Sequence, residues 1–207
     1  SVLNIYDELY KAGDRIRHYL TCHEQAAAHA ADAYARVSGK PGVVIATSGP
    51  GATNLVTGIA NAYLDSSPLI AITGNVATAL IGKDSFQEVD IYGVTMPITK
   101  HNYIVKDVTK LADIIREAIK IATTGRPGPV LIDVPKDIQT AECDYLPQPK
   151  YSPENGKNGK VSDEAIAEAI GLINGSKRPF IYAGGGVIMS DASKELLELA
   201  ELIDAPV

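Results

Sequence analysis

The chain has 207 residues, which is enough for one large domain or for one domain and part of another. Its net charge of −6 argues against non-specific binding to nucleic acid, and two cysteines are too few for a disulfide framework, which favours a reducing compartment. We find no signal peptide and no apolar run of membrane-spanning length, so neither nucleic acid nor a membrane is an expected partner.

Helical and strand patterns alternate along the first two thirds of the chain. They predict helices at 3–12, 24–38, 52–64, 87–92 and 109–123, and strands at 16–21, 42–48, 68–74, 102–107 and 129–135. Short apolar, β-branched runs are typical of parallel strands that are buried on both faces. The alternation therefore predicts an α/β fold, a doubly wound parallel sheet covered by helices on both faces.

A change in composition marks a domain boundary after this pattern. Residues 142–160 are rich in Pro, Gly, Asn and Lys, which predicts a linker between a first domain, 1–141, and a second one that begins at 161. The second part contains patterns for a helix at 162–174, a strand at 179–183 and a helix at 191–203, and is too short to bury a core of its own. We expect the chain to be a fragment of a longer protein.

Glu24 stands at the start of the alanine-rich helix predicted over 24–38. An acid in the first helical turn is ordinarily explained by the helix dipole, and alanines by their helix propensity. Small side chains also permit the close approach of a partner backbone or a flat ligand, and desolvation at the helix tip would raise the pKa of the Glu24 carboxyl. The local sequence leaves both interpretations open.

Three further polar stretches interrupt the buried pattern: "TSGPGATN" (47–54), "GKDSFQEVD" (82–90) and "TGRPGPV" (124–130). The first two follow buried strands, where ligands bind in open α/β sheets, although an ordinary turn and a solvated loop explain them equally well. Arg126 in the third stretch could simply complement the end of the preceding helix. The four histidines show no metal-ligand spacing, so we predict no metal site among these residues.

Six stretches, taken in order, resemble one family. They are "HEQAAAHAADAYAR", "SGKPGVVIATSGPGATN", "GIANAYLDSSPLIAITG", "FQEVDI", "TK" followed by "VK", and "GRPGPVLIDVPKDIQ". Across most of residues 1–140 they resemble the catalytic large subunit of thiamine-diphosphate-dependent acetohydroxyacid (acetolactate) synthases, and residues 161–207 resemble the start of the family's central domain. The resemblance implies the thiamine-diphosphate-binding fold, with thiamine diphosphate, Mg²⁺ and FAD as cofactors.

The resemblance also implies roles for nine residues. In the family, the glutamate of H-E-Q hydrogen-bonds N1′ of the aminopyrimidine ring and activates the cofactor; Glu24 matches it, and a raised pKa would suit this role. The other matches are Pro50 and Asn54 in the turn near the pyrimidine, Phe86 and Gln87 in the lining of the active site, Lys106 near the substrate channel, Arg126 as a contact of FAD, and Gly184 and Gly185 where a glycine turn approaches the flavin.

The implied activity is decarboxylation of pyruvate and transfer of the two-carbon unit to a second 2-keto acid, in branched-chain amino-acid biosynthesis. The family's diphosphate-binding domain, which holds Mg²⁺ with a G-D-G motif, has no match here, so we expect this chain alone to be inactive. Expected partners are a second copy of the subunit, which completes the active site, a small regulatory subunit and small 2-keto acids. The expected location is the cytoplasm of a bacterium or archaeon, or an organelle of a eukaryote.

The sequence departs from the family pattern at a few positions. Positions 26 and 33 are often glycine in the family and are alanine here, and Lys83 replaces a common threonine. Two alternatives remain: another thiamine-diphosphate decarboxylase or carboligase, and a non-catalytic module that retains the fold. Glu24 argues against glyoxylate carboligase, because that enzyme lacks this acid.

Overall fold

Four parallel strands form a sheet in the first of the two compact units of the chain, Ser1–Gly156 and Lys157–Val207. The computed structural model describes residues 1–147 and 161–207. The strands are β1 (Gly42–Ala46), β2 (Leu69–Asn75), β3 (His101–Ile104) and β4 (Pro129–Pro135), in the spatial order β1-β2-β4-β3. Each neighbouring pair is parallel, so every connection crosses over from one end of the sheet to the other.

Helices supply these connections and cover both faces of the sheet. Those of the first unit are α1 (Leu3–Ala12), α2 (Glu24–Ser38), α3 (Pro50–Thr53), α4 (Val56–Leu64), α5 (Ile91–Thr95), α6 (Val108–Thr123) and α7 (Lys136–Thr140). The predicted end of α2 is confirmed, because Gly39 adopts the left-handed conformation with φ 67°. The predicted doubly wound parallel α/β fold is therefore confirmed.

Alternate residues of the two central strands point into two separate cores. Leu69 and Ala71 of β2 pack with α2 and α4 on one face, whereas Ile70 lies on the other face with α6. All seven residues of β4 are buried. This double burial explains why β2 and β4 read as continuous apolar runs rather than as an alternating pattern.

Two predicted strands are wrong. Residues 16–21 pair with no strand among the residues that the structure describes, and Tyr19 in this segment is 83% exposed. The predicted strand 179–183 is also absent; its Ile181 N–H donates a hydrogen bond of 2.9 Å to the Pro206 carbonyl oxygen. Both segments have the composition of strands, but a ladder of hydrogen bonds requires a partner strand alongside.

Helix boundaries differ from the predictions at two other places. The predicted helix 52–64 is divided into α3 and α4, and the short helix predicted at 87–92 begins at Ile91. Asp90 caps this helix by accepting a hydrogen bond of 2.9 Å from the Gly93 N–H, which fixes its start after the acidic residue.

The second unit contains α8 (Asp163–Gly175), α9 (Gly185–Met189) and α10 (Ser193–Leu202). Among the described residues of this unit, Ala200 and Ala205 are buried, whereas large side chains such as Tyr182 and Leu202 are exposed. Of the predicted linker 142–160, residues 148–160 lie outside the described ranges, and the predicted domain boundaries stay a prediction. No helix in the described ranges has the length and hydropathy needed to cross a bilayer.

The small residues of α2 allow close packing within the chain. A Cβ at Gly58 of α4 would lie 2.4 Å from the Ala28 Cβ, and one at Gly42 of β1 would lie 2.0 Å from the Ala31 carbonyl oxygen. Ala28 and Ala31 are buried by these contacts, whereas Ala26, Ala30 and Ala33 are exposed. The buried alanines therefore serve the fold of the chain itself rather than a partner's backbone.

A polar cluster of three side chains joins β2 and β4 at the centre of the sheet. Asp133 of β4 is fully buried, and its carboxylate accepts hydrogen bonds from the Thr73 hydroxyl (2.8 Å) and from the Asn75 amide of β2. Burial raises the pKa of Asp133 to about 6; the two hydrogen bonds oppose this shift and the charge of Asp90 adds to it. Asp133 is the one acid inside the run "PVLIDVP" of β4.

The contact between α2 and α4 gives a first testable prediction. We expect Gly58→Ala to destabilise the protein by about 1–3 kcal/mol, because its new methyl group overlaps the Ala28 side chain. Ala28→Gly alone should cost about 1 kcal/mol through helix propensity. The double variant should lose less than the sum of the two, as measured by urea unfolding, because the overlapping methyl groups no longer meet. Strictly additive losses would contradict this contact.

Asp133 gives a prediction about pH. The pKa in the folded state exceeds the unfolded value of about 3.9, so this carboxyl favours folding below pH 4 and opposes it increasingly as the pH rises through 6. The unfolding free energy of Asp133→Asn minus that of the wild type should therefore rise by roughly 2 kcal/mol between pH 4 and pH 7. The exposed Asp14→Asn serves as a control and should show little change. A difference for Asp133→Asn that stays flat with pH would contradict the assignment.

Candidate functional site

The candidate site lies at the carboxyl edge of the sheet. Because all four strands are parallel, the turn after β1, the loop after β2 and the residues after β3 and β4 lie along this one edge. The start of α2 lies here too, since Glu24 contacts the turn that follows β1. Three stretches singled out in the sequence, around 24, 47–54 and 82–90, thus lie at the same edge.

The conformation before Glu24 is fixed by a helix cap. His23 has extended backbone angles, and its Nδ1 accepts a hydrogen bond of 3.1 Å from the Gln25 N–H. The Thr21 hydroxyl in turn donates to the His23 carbonyl oxygen at 3.0 Å. These two bonds define the first residue of α2 and place the Glu24 side chain at the tip of the helix.

Glu24 is held by Asn54, thirty residues later in the chain. The Asn54 Nδ2 donates a hydrogen bond of 3.0 Å to Glu24 Oε2. This bond lowers the pKa of Glu24; the residue's own backbone N–H adds to the effect, and partial burial opposes it. The sequence-based expectation of a raised pKa is therefore wrong for this structure, because hydrogen bonding to the charged form outweighs desolvation.

The turn after β1 packs closely beside the Glu24 carboxylate and depends on glycine. Gly49 has φ 62°, a conformation that favours glycine, and Pro50 opens α3 in the first helical position. At Gly51 an added Cβ would lie 3.3 Å from Glu24 Oε1 and 2.7 Å from Thr47 Cγ2. Any larger residue at this position would crowd the carboxylate.

The loop over residues 82–90 folds onto this turn. A Cβ at Gly49 would lie 2.6 Å from the Gln87 carbonyl oxygen, and Gln87 itself has φ 56°. The carboxylate of Glu88 shapes the loop by accepting hydrogen bonds from the N–H groups of Gly82 and Ser85, the latter at 2.8 Å. The loop thereby brings Gln87 against the site, while Phe86 is 88% exposed.

Lys106 and Arg126, two further predicted site residues, lie at different edges of the sheet. Lys106 follows β3 at the same edge and is exposed. Arg126 precedes β4 and therefore lies at the opposite edge, where its Nε donates to the Ser66 hydroxyl at 2.6 Å and its Nη2 to the Leu64 carbonyl oxygen at 3.2 Å. The structure thus does not bring Arg126 together with Glu24, and the predicted role of each residue stays a prediction.

Gly184 and Gly185 belong to the second unit. Gly184 precedes α9 and Gly185 begins it; both are exposed, and a Cβ added at either would meet no atom within 4 Å. Crowding by the described residues therefore does not explain glycine at these positions.

A cavity of about 210 Å³ lies under the 82–90 loop and was not predicted. It is bounded by the carboxyl ends of β2, β3 and β4, with Asn75, Ile104, Asp133 and the loop residue Glu88 among its walls. The feature of the sequence that could have indicated this cavity is Asp133, an acid inside the otherwise apolar run of β4. Within residues 1–147 and 161–207, no three His, Cys, Asp or Glu side chains are grouped so that they could hold a metal ion.

Two enzyme-family descriptions match the chain. Residues 1–94 match the N-terminal TPP binding domain of thiamine pyrophosphate enzymes, and residues 166–207 match the central domain of the same enzymes. The first match contains Glu24, Asn54 and the 82–90 loop, and the second contains Gly184 and Gly185.

Similar proteins match along the whole chain. The "Acetolactate synthase" of Arthrospira platensis is 51% identical over 216 residues, which cover 100% of this chain and 37% of that protein. The "Probable acetolactate synthase large subunit" of Methanocaldococcus jannaschii is 55% identical over 211 residues, or 35% of its length. The "Acetolactate synthase large subunit" of Corynebacterium glutamicum is 50% identical over 212 residues, or 33% of its length.

The chain spans about a third of the length of these curated relatives. Its matches begin in the N-terminal TPP binding domain and continue into the central domain, as the resemblance of the sequence motifs implied. The chain thus contains matches to the N-terminal TPP binding domain and the central domain of thiamine pyrophosphate enzymes, and it is similar throughout to acetolactate synthases.

Proposed function

We propose that this chain supplies the pyrimidine-binding side of the active site in an acetolactate synthase. The observation that carries the proposal is the Glu24 carboxylate at the carboxyl edge of the sheet, held at one oxygen by Asn54 and flanked by glycines. The similarity to acetolactate synthases over the whole chain supports the choice of this reaction within the family.

The residues at this edge fit an aminopyrimidine ring. A flat ring needs a wall without side-chain bulk, and Gly49 and Gly51 provide one, because a Cβ at Gly49 would overlap the Gln87 backbone and one at Gly51 would overlap Thr47. A hydrogen bond between Glu24 and N1′ requires one proton between them, and the low pKa of Glu24 favours the form in which N1′ carries that proton and the carboxylate accepts the bond. Pro50 and Asn54 frame the turn, and Gln87 closes it from the loop.

Thiamine diphosphate, when bound, supplies the nucleophilic carbon that attacks a 2-keto acid. The chain's own residues would bind and orient it: Glu24 would hold the proton at the ring nitrogen, and the turn after β1 would form one wall of its site. The side chains of Phe86 and Lys106 are exposed, and we assign them to the region where the 2-keto acids would enter.

The other two cofactors are assigned with different support. We infer that Mg²⁺ is held with the diphosphate by a domain that has no counterpart among these residues. FAD would be contacted by Arg126, Gly184 and Gly185; two guanidinium nitrogens of Arg126 already bind Ser66 and Leu64, which fixes its orientation and leaves donors for an anionic group.

The same proposal includes partner subunits. The 82–90 loop presents Phe86 almost fully exposed at the edge of the site, as expected for a residue that a second copy of the subunit covers. Relatives named "large subunit" imply a small subunit in those proteins, so we propose a small regulatory partner here. The activity belongs to the full-length protein, and we expect this chain alone to be inactive.

Replacement of Glu24 tests the proposal. In the full-length protein we expect Glu24→Gln to slow hydrogen–deuterium exchange at C2 of bound thiamine diphosphate by at least about 100-fold, because the proton at N1′ is no longer held by a carboxylate. Circular dichroism and urea unfolding should match the wild type.

The exposed Glu8→Gln is the matched control and should exchange at the wild-type rate. Unchanged exchange in Glu24→Gln would return Glu24 to the role of an ordinary helix-start acid. Product analysis with pyruvate completes the test: acetolactate supports the proposal, whereas acetaldehyde alone would identify a decarboxylase instead.

A further inference from the structure

We propose that Asn54 is a positioning residue, which occupies one oxygen of the Glu24 carboxylate so that the other oxygen faces the aminopyrimidine ring. This inference rests on the proposed function and deepens it. It concerns how the carboxylate is aimed and which of its oxygens is free to act, and nothing in the similarity to known enzymes assigns that task to Asn54.

The two oxygens of Glu24 have different surroundings. Oε2 accepts the Asn54 amide at 3.0 Å, whereas Oε1 lies on the side of Gly51, 3.3 Å from where a Cβ would stand. Among the described side chains, Asn54 is the hydrogen-bond donor to this carboxylate. Oε1 therefore receives no hydrogen bond from a described side chain, and it lies beside Gly51, a position too crowded to carry a side chain.

The backbone of the turn fixes Asn54 in place. Asn54 ends α3, and its N–H donates to the Pro50 carbonyl oxygen at 3.0 Å. The next residue, Leu55, is fully buried in the core beneath α2. Asn54 is thus anchored on both sides, and its short side chain has little freedom to release the carboxylate.

The neutral amide is suited to this task. A lysine or arginine here would form an ion pair with Glu24 and offset the charge that the ring nitrogen has to meet. The amide instead stabilises the carboxylate and leaves its charge in place; it is the largest cause of the low pKa of Glu24. His23, directly before Glu24, adds a smaller effect in the same direction.

A second asparagine–carboxylate pair provides an internal comparison. Asn61 donates to Asp32 Oδ2 at 2.7 Å, but Arg36 also binds both oxygens of that carboxylate, each at 2.9 Å. Asp32 is buried, so its hydrogen-bonding capacity is used within the fold. Glu24 is only half-buried, and the described side chains bind a single one of its oxygens, which is what a carboxylate reserved for a ligand requires.

The first experiment measures the carboxyl group without any cofactor. The pKa of Glu24 is followed in this chain by ¹³C NMR with labelled glutamate, and Glu24→Gln assigns the signal. We expect Asn54→Ala to raise the pKa of Glu24, and Asn54→Asp to raise it further because a second negative charge then faces the first. Asn61→Ala, the matched control, should lower the stability to urea and leave this pKa unchanged.

The second experiment measures C2 exchange of thiamine diphosphate bound to the full-length protein. We expect Asn54→Ala to slow exchange by up to about 100-fold, because the unanchored carboxylate leaves its productive position. Asn61→Ala should exchange at the wild-type rate.

The outcomes separate this inference from the proposed function. If Glu24→Gln abolishes exchange while Asn54→Ala changes neither the pKa nor the exchange rate, the positioning role is refuted and the proposed function stands. If Glu24→Gln exchanges normally, the proposed function fails, and with it the role of Asn54 toward a cofactor. A raised pKa together with slowed exchange in Asn54→Ala, without loss of stability, supports the inference.

Discussion

The contact between Ala28 and Gly58 sets the distance between two helices on which the candidate site depends. Only one of these two positions can carry a methyl group, because a Cβ at Gly58 would overlap the one of Ala28. The helix α2 therefore lies directly against α4. One helical turn before this contact, Glu24 meets Asn54, and one turn after it, Asp32 meets Asn61. The three contacts therefore occur in the same order along α2 and along residues 54–61, which means that the two segments run in the same direction. The geometry of the carboxylate is therefore a consequence of core packing.

Much of this arrangement could be predicted from the sequence, since it depends on local signals. The double burial of β2 and β4 was predictable from their continuous apolar runs, and the end of α2 from Gly39. The parallel direction of the strands then placed the polar stretches after β1 and β2 at one edge. The candidate site could be located in this way without any knowledge of its contacts.

The remainder depends on partners that lie far away in the chain. Residues 16–21 have strand composition, but composition does not reveal whether a neighbouring strand is present. The direction of the pKa shift of Glu24 was predicted wrongly because the amide that decides it belongs to residue 54. The acid in β4 was overlooked for the same reason, since its hydrogen-bonding partners lie on another strand.

The loop over residues 82–90 is organised largely by its own residues. Glu88 binds two N–H groups of the same loop, and the contact with the turn after β1 is made by the backbone of Gln87. Phe86 projects from this frame without supporting it. The side chain at position 86 can therefore be replaced without disturbing the frame of the loop or the Glu24–Asn54 pair. The loop thus separates the contacts that hold its shape from the side chain that it presents to the surroundings.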